Sequence, residues 1–331
     1  MGIVKDILYK ISSKRFLPVF KDQSIFPYYH IVRNNQVNHI EHLYSFKNKE
    51  QFLNDIDILS NNYRPLEPKE LLENSIKKNT FLLSFDDGLK EVYTVIYPIL
   101  KKKNIKAIFF INPNFIDNKE GLYKHYISII ISNLKGKNFE ISSLDKISDI
   151  FSFSYTTIED FKQKFTSIKY AEREKVHDVL NFLDINIEDY LNIHKPYITK
   201  EQIQEMIKDG FYFGGHTMGH PPLVQLSHEE QKVEIINSID WLKQNFDINY
   251  SLFSFPFSDR SISKKLLEEL LEYDNDIKIF GNSGLKKDMD ERIIQRFSLE
   301  NPNKQTEKSI VLENLYKYFN MVIGKYHIKR K

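Results

Sequence analysis

Residues Phe81 to Gly88 read FLLSFDDG: a mostly apolar run with the length of a buried strand, then two adjacent aspartates and a glycine. Asp and Gly are ordinary turn residues, so a solvated turn is the plain reading of the last three positions. That reading leaves one thing unexplained. Two carboxylates side by side repel each other, and these two stand where the strand leaves the core.

Working outward, the neighbouring segments alternate. FPYYHIV (26–32) reads as a strand, 51–63 as an amphipathic helix, and FLLSF as a strand. A helix follows over 89–103, then the strand KAIFFIN (106–112), stopped by Pro113. From about 114 to 195 the rhythm breaks into polar, mostly helical sequence, read as an insertion. It resumes with helix 200–208, strand GFYFGGH, helix 227–245, strand YSLFSFPFS, helix 263–273, strand IKIFGN, the strand candidate RIIQRFSLE, and a last helix over 306–326. Ser227 followed by Glu230 predicts a capping box. Strands alternating with helices pair in parallel, and six or seven such units approach a closed barrel, whose chemistry sits at the carboxyl ends of the strands. Asp86, Asp87, His216, Ser258 and Asp259 fall at or just past such ends, and His30 near the end of the first.

GGHTMGH (214–220) places His216 and His220 four apart. Taken alone the pair is weak, because surface or core histidines are the ordinary case. It lacks the glutamate of a His-Glu-x-x-His helix, and Pro221-Pro222 ends any helix there. Joined to the aspartate pair, however, two imidazoles and a carboxylate make a common catalytic zinc set. One aspartate can then be a ligand and the other a base toward an attacking water, and the cation offsets their repulsion.

SFDDG followed far downstream by HTMGHPPL resembles the signatures of the polysaccharide deacetylases, carbohydrate esterase family 4 with its NodB-homology domain. Those signatures are a Thr/Ser-Phe-Asp-Asp-Gly strand end and a His-Ser/Thr-x-x-His loop. The approach ITKEQIQEMIKDGFYFGGHTMGHPPLVQLSHEE is similar along its whole length, and the likeness spans about 26–112 and 198–300. FPYYHIV is similar to the amino-terminal Tyr-His strand of the circularly permuted branch of that family.

The resemblance implies an α/β fold, a distorted (β/α)7 TIM-like barrel of the NodB-homology type over 26–300 with the helical insertion at about 114–195. An amphipathic helix over 1–25 precedes it, and a helix and basic tail over 301–331 follow. It further implies Asp86 as catalytic base, and Asp87, His216 and His220 as ligands of one divalent metal. Zinc is favoured by that donor set, with cobalt, nickel and manganese as alternatives. Phe257, through its backbone amide, and Ser258 fall at the oxyanion and substrate position, and His30 at the general acid, since no late Leu-x-His-like segment is present. The sequence departs from the family at Ser254, which stands where an arginine orients the base; Arg296 is the substitute it offers.

The expected function is metal-dependent N-deacetylation of an N-acetylated amino sugar in bacterial surface polysaccharide biosynthesis or modification. A family member that binds metal and carbohydrate without turnover is one alternative, and a deacylase of small non-sugar amides is the other. Composition agrees with a packed enzyme: 331 residues, 41% hydrophobic and 14% aromatic. A balance of 47 basic against 45 acidic residues gives no reason to expect nucleic acid. The absence of cysteine excludes disulfides and thiolate chemistry. No signal peptide or membrane span is legible, which points to the cytoplasm. Ile3, Val4, Ile7, Leu8 and Ile11 among basic residues read as a helix that either packs on the domain or, through residues 1–20, touches the inner face of the membrane.

Overall fold

A computed structural model of the chain describes residues 2–20 and 22–331. Its frame is a parallel sheet of β1 (Pro27–Tyr29), β2 (Leu83–Phe85), β3 (Ala107–Ile111), β4 (Tyr212–Gly215), β5 (Leu252–Ser254), β6 (Lys278–Gly281), β7 (Ile293–Gln295) and β8 (Phe297–Ser298). Their spatial order is β8-β1-β2-β3-β4-β5-β6-β7. Arg296 alone separates β7 from β8. The first half of this run pairs with β6 (Ile279 opposite Ile293) and the second with β1 (Pro27 opposite Phe297). One extended segment therefore closes the sheet on itself, and counted as one strand it makes the barrel sevenfold.

The period of two along each strand separates two cores. Tyr29, Phe85, Phe109 and Phe213 form a ladder of rings 5.2–5.8 Å apart across β1 to β4. This face packs outward on Phe52, Ile56 and Leu59 of α2 (Lys49–Asn62) and on Ile203 and Met206 of α9 (Lys200–Lys208). The alternate residues Ile108, Phe110, Leu252, Phe280 and Ile294 fill the barrel interior.

The helix expected over 89–103 forms in two parts: a π turn at Val92–Ile96, then α3 (Tyr97–Lys102). Pro98 in the first turn of α3 has no N–H to give to a preceding carbonyl, and a widened turn before it is the accommodation. The region 114–195 holds α4 (Tyr123–Gly136), α5 (Ile141–Ile150), α6 (Ile158–Thr166), α7 (Arg173–Phe182) and α8 (Ile187–His194). These share a core of their own, including Ile127, Ile130, Leu144, Phe161, Phe165 and Val176. α10 (His228–Asn245) starts at the Ser227–Glu230 capping box, and α11 (Lys264–Tyr273) is capped by Ser263.

At the amino end, α1 (Gly2–Ile11) and a 3-10 segment (Lys14–Phe20) lie along α12 (Thr306–Val322), burying Leu17. The side chain of Ile3 lies outside the described residues. α12 stops four residues short of the expected end, and the basic tail docks: the Arg330 side chain is buried between Asp259 and Asp288. Behind β1, Lys47 and Asp55 form a buried ion pair at 2.6 Å, and Asp55 also accepts from the Tyr29 hydroxyl.

Close approach governs β4. A Cβ on Gly215 would lie 2.2 Å from the Ser238 hydroxyl of α10 and 3.1 Å from its backbone carbon. Gly215→Ala should therefore cost about 1–3 kcal/mol of stability, partly recovered by Ser238→Ala. Denaturant unfolding of the three variants checks this; an unchanged midpoint for Gly215→Ala would contradict the packing described.

Candidate active site

Two strand ends bring the metal-type donors together. The Asp-Asp-Gly turn leaves β2 with Asp87 at φ +72° and Gly88 at φ +63°. Gly88 suits that left-handed backbone, whereas Asp87 carries some strain to point its carboxylate inward. The loop after β4 is held from both sides. Asn112 donates to the carbonyls of His216 and Thr217, and the Glu234 carboxylate accepts from Met218 and Gly219 N–H. Thr217 (φ +66°) and His220 (φ +58°) are also left-handed.

This geometry sets Asp87 Oδ1 3.4 Å from His216 Nε2 and 3.3 Å from His220 Nε2. All three side chains are buried, and their ligand atoms lie within 4.8 Å of one another. His216 Nδ1 donates to the Ser254 carbonyl at 2.7 Å, and a carbonyl only accepts. Nδ1 therefore holds the proton and Nε2 keeps its lone pair toward Asp87, as a metal-binding imidazole requires. Asp87 Oδ1 has no hydrogen-bond partner although it is buried. Donors about 2.0–2.1 Å from a tetrahedral zinc stand about 3.3 Å apart, so the three residues fit a divalent ion. Burial alone would raise the Asp87 pKa, but the neighbouring His220 opposes it and the net shift is well below the carboxylate range. A negative ligand is thus kept in place.

Asp86 takes a different partner. Its two oxygens accept from Nη1 and Nη2 of Arg296, each at 2.8 Å, a bidentate fork. Arg296 is 1% exposed and also donates to Ser84 Oγ at 2.7 Å, to the Ser254 hydroxyl and to the Gly281 carbonyl. Tyr28 and Phe110 rings lie 4.6 and 5.2 Å from its guanidinium. Burial pushes the Asp86 pKa up, Arg296 is the chief charge opposing it, and the net shift is downward, so the carboxylate stays ionised. The Ser254 hydroxyl accepts from this guanidinium, which comes from the β7–β8 run on the far side of β6.

His30 lies one residue past β1. Its Nδ1 bonds to Glu300 Oε2 at 2.7 Å, while Glu300 Oε1 accepts from the N–H groups of His30 and Ile31 at 3.0 and 3.1 Å. Burial opposes the charge on this imidazole, but Glu300 outweighs it and the pKa rises to about 10. Glu300 was not among the residues singled out from sequence. Nothing local marks it: it is the first acidic residue past β8, and only the pairing of β8 with β1 brings it to His30.

These groups face one cavity of about 480 Å³. Tyr28, Tyr44 and Phe255 also line it, and Leu122, Lys124 and Thr166 close one side from the helical region. Phe257 (φ +56°) packs its ring 4.7 Å from that of His220. Ser258 is different: it is exposed, its hydroxyl accepts from Arg260 N–H, and it lies outside the cavity lining.

Comparison with known proteins agrees with this geometry. The model of the polysaccharide deacetylase family matches residues 73–129 and 155–275, more than half of the chain. No curated protein sequence matches. Among solved structures, a deacetylase of Streptococcus pyogenes, PplD, in complex with acetate is similar at a TM-score of 0.55 and 17% identity, over 87% of this chain and 96% of that one. IcaB from Ammonifex degensii gives 0.52 and 15%, over 88% and 96% of the two chains. A de-N-acetylase from Aggregatibacter actinomycetemcomitans gives 0.51 and 15%, over 87% and 100%. At these identities the structures speak for the shared barrel, and the family match speaks for the chemistry. With an Asp-Asp turn, a His-x3-His loop and a parallel barrel around them, the chain belongs to the polysaccharide deacetylase family, hydrolases of carbon–nitrogen bonds in acetylated sugars.

Proposed function

We propose that the protein is a metal-dependent N-deacetylase of an N-acetylated amino sugar, working in the assembly or modification of a surface polysaccharide. The observation that carries this reading is the pairing of two unlike carboxylates in one turn. Asp87 faces two imidazoles with a bare buried oxygen, and Asp86 is gripped by a guanidinium. The first arrangement suits a ligand and the second a base.

A divalent ion held by Asp87, His216 and His220 would polarise the amide oxygen and acidify water beside it. Asp86 takes the proton from the attacking water, kept ionised and oriented by Arg296. The Phe257 backbone N–H would meet the charge developing on the carbonyl oxygen. His30 then gives a proton to the departing amine, with Glu300 fixing the ring so that Nε2 faces the cavity. Tyr28, Tyr44 and Phe257 line the cavity that would receive a pyranose. The reading in which metal and sugar bind without turnover was motivated by Ser254, and Arg296 on Asp86 removes that motive.

Acetate release from a panel of nucleotide-linked, lipid-linked and oligomeric N-acetylhexosamines, with small non-sugar amides beside them, tests the proposal. Release from a sugar is expected, and release only from the non-sugar amides would overturn it. Asp86→Asn should lower turnover by about 10²–10⁴-fold; near-normal turnover would refute its role. Arg296→Lys, which keeps the charge but loses the fork, should cost about 10–100-fold in kcat with little change in KM.

The pH profile carries a further test. The acid form of His30 exists below its raised pKa, so rate is lost as pH rises through it. Glu300→Gln removes the group that raises this pKa and should move the alkaline limb to lower pH. An unmoved limb would show that His30 is not the acid.

A further inference from the structure

Away from the active site, a polar hollow of about 740 Å³ lies between the end of α1 and the start of α12. Lys10, Lys14, Lys304 and Lys308 line it. Its carboxylates are Asp55, already paired with Lys47, and Glu307. Tyr9 organises one wall: its ring carries the ammonium groups of Lys304 and Lys308 at 5.2 and 5.8 Å, and its hydroxyl accepts from Gln305 N–H. Four lysines against one unpaired carboxylate make this a site for an anion.

The surface beside it is apolar where a soluble protein is ordinarily polar. Ile11, which lines the hollow, is 60% exposed, and Ile7, one turn earlier on the same face of α1, is 56% exposed. Phe16 (50%) and Val19 (71%) stand three apart in the 3-10 segment and share a face as well. Lys5, which pairs with Glu313 of α12, and Tyr9 lie across the helix from this ridge, and Val4 and Leu8 along its edge are half-buried. α1 thus packs on the domain and still presents an apolar ridge outward.

We propose that this face docks on a bilayer containing anionic phospholipid, with the hollow taking a phosphate headgroup and Ile7, Ile11, Phe16 and Val19 entering the interfacial region. A soluble anion would account for the lysines, but it gives no reason for Ile11 exposed beside them or for Ile7, Phe16 and Val19 exposed in the same amino-terminal segment. Lysines beside apolar residues are the chemistry of an interfacial segment on an anionic leaflet. The chain running out of β8 supplies Glu300 to the active site and residues 302–308 to the hollow. Docking here would hold the mouth of the barrel close to a lipid surface. The proposal stands apart from the deacetylase reading, because binding to vesicles needs no turnover.

The test is sedimentation of the full chain with vesicles of phosphatidylcholine alone and of phosphatidylcholine with phosphatidylglycerol. Binding is expected only to the second, and to weaken with salt. Each lysine near an anionic surface is worth about fivefold, so Lys14→Gln with Lys308→Gln should weaken partition about 25-fold. Ile11→Ser with Phe16→Ser should weaken it as well. All four positions are exposed or half-exposed, and unchanged melting would show that the variants fold. A gain-of-signal variant guards the result: Phe16→Trp should be quenched by lipids brominated in the acyl chain, above the background of Trp241. No binding to anionic vesicles, binding unaffected by the substitutions, or saturation by glycerol phosphate without vesicle binding would each overturn the proposal.

Discussion

Arg296 is the point on which fold and site depend together. It sits between β7 and β8, in the run that closes the barrel, and its guanidinium lies wholly inside. A buried cation is costly unless charge and hydrogen bonds surround it. Here a bidentate carboxylate, two serine hydroxyls, a carbonyl and aromatic faces do so. Those partners come from β2, β5 and β6 and from the Asp-Asp turn, so closing the barrel and orienting Asp86 are one event. The barrel interior is otherwise apolar, which leaves this charge pair strong and its geometry narrow.

The second constraint is backbone strain placed at the reacting end. Asp87, Thr217, His220 and Phe257 all have left-handed backbone, although none is glycine. Such residues are uncommon, and hydrogen bonds hold the loops that carry three of them. Asn112 and Glu234 hold the histidine loop, and Asn282 holds the Phe257 carbonyl. Rigid strands deliver the side chains, and short hydrogen-bonded turns give them their final direction. Asp86 and Asp87 show the effect most clearly. They are neighbours in sequence, yet one turns toward a guanidinium and the other toward two imidazoles.

Much of this was legible from local sequence. FLLSFDDG and GGHTMGH announce strand, turn and donor residues within a few positions, and both strands form where expected. The strands are shorter than their apolar runs suggested, because apolar residues also fill the turns under the helices. Arg296 was offered from sequence as the substitute for the arginine that orients the base, but the pairing of distant segments that brings it there could not be read. Arg296 reaches Asp86, and Glu300 reaches His30, only because the last strand lies beside the first. That neighbourhood follows from barrel closure and leaves no trace in local periodicity. The π turn before Pro98 was missed for the opposite reason: the apolar spacing at Val92, Val95, Ile96, Ile99 and Leu100 is helical, and the local deformation hides within it.

The central claim is that Asp87, His216 and His220 form one metal centre. Metal content of the purified chain, measured by mass spectrometry on the wild type and on His216→Ala, tests it most directly. One divalent ion per chain, lost on substitution with folding retained, is what the account predicts. A wild type that retains no metal after loading with zinc, or a His216→Ala variant that holds it as tightly, would contradict it.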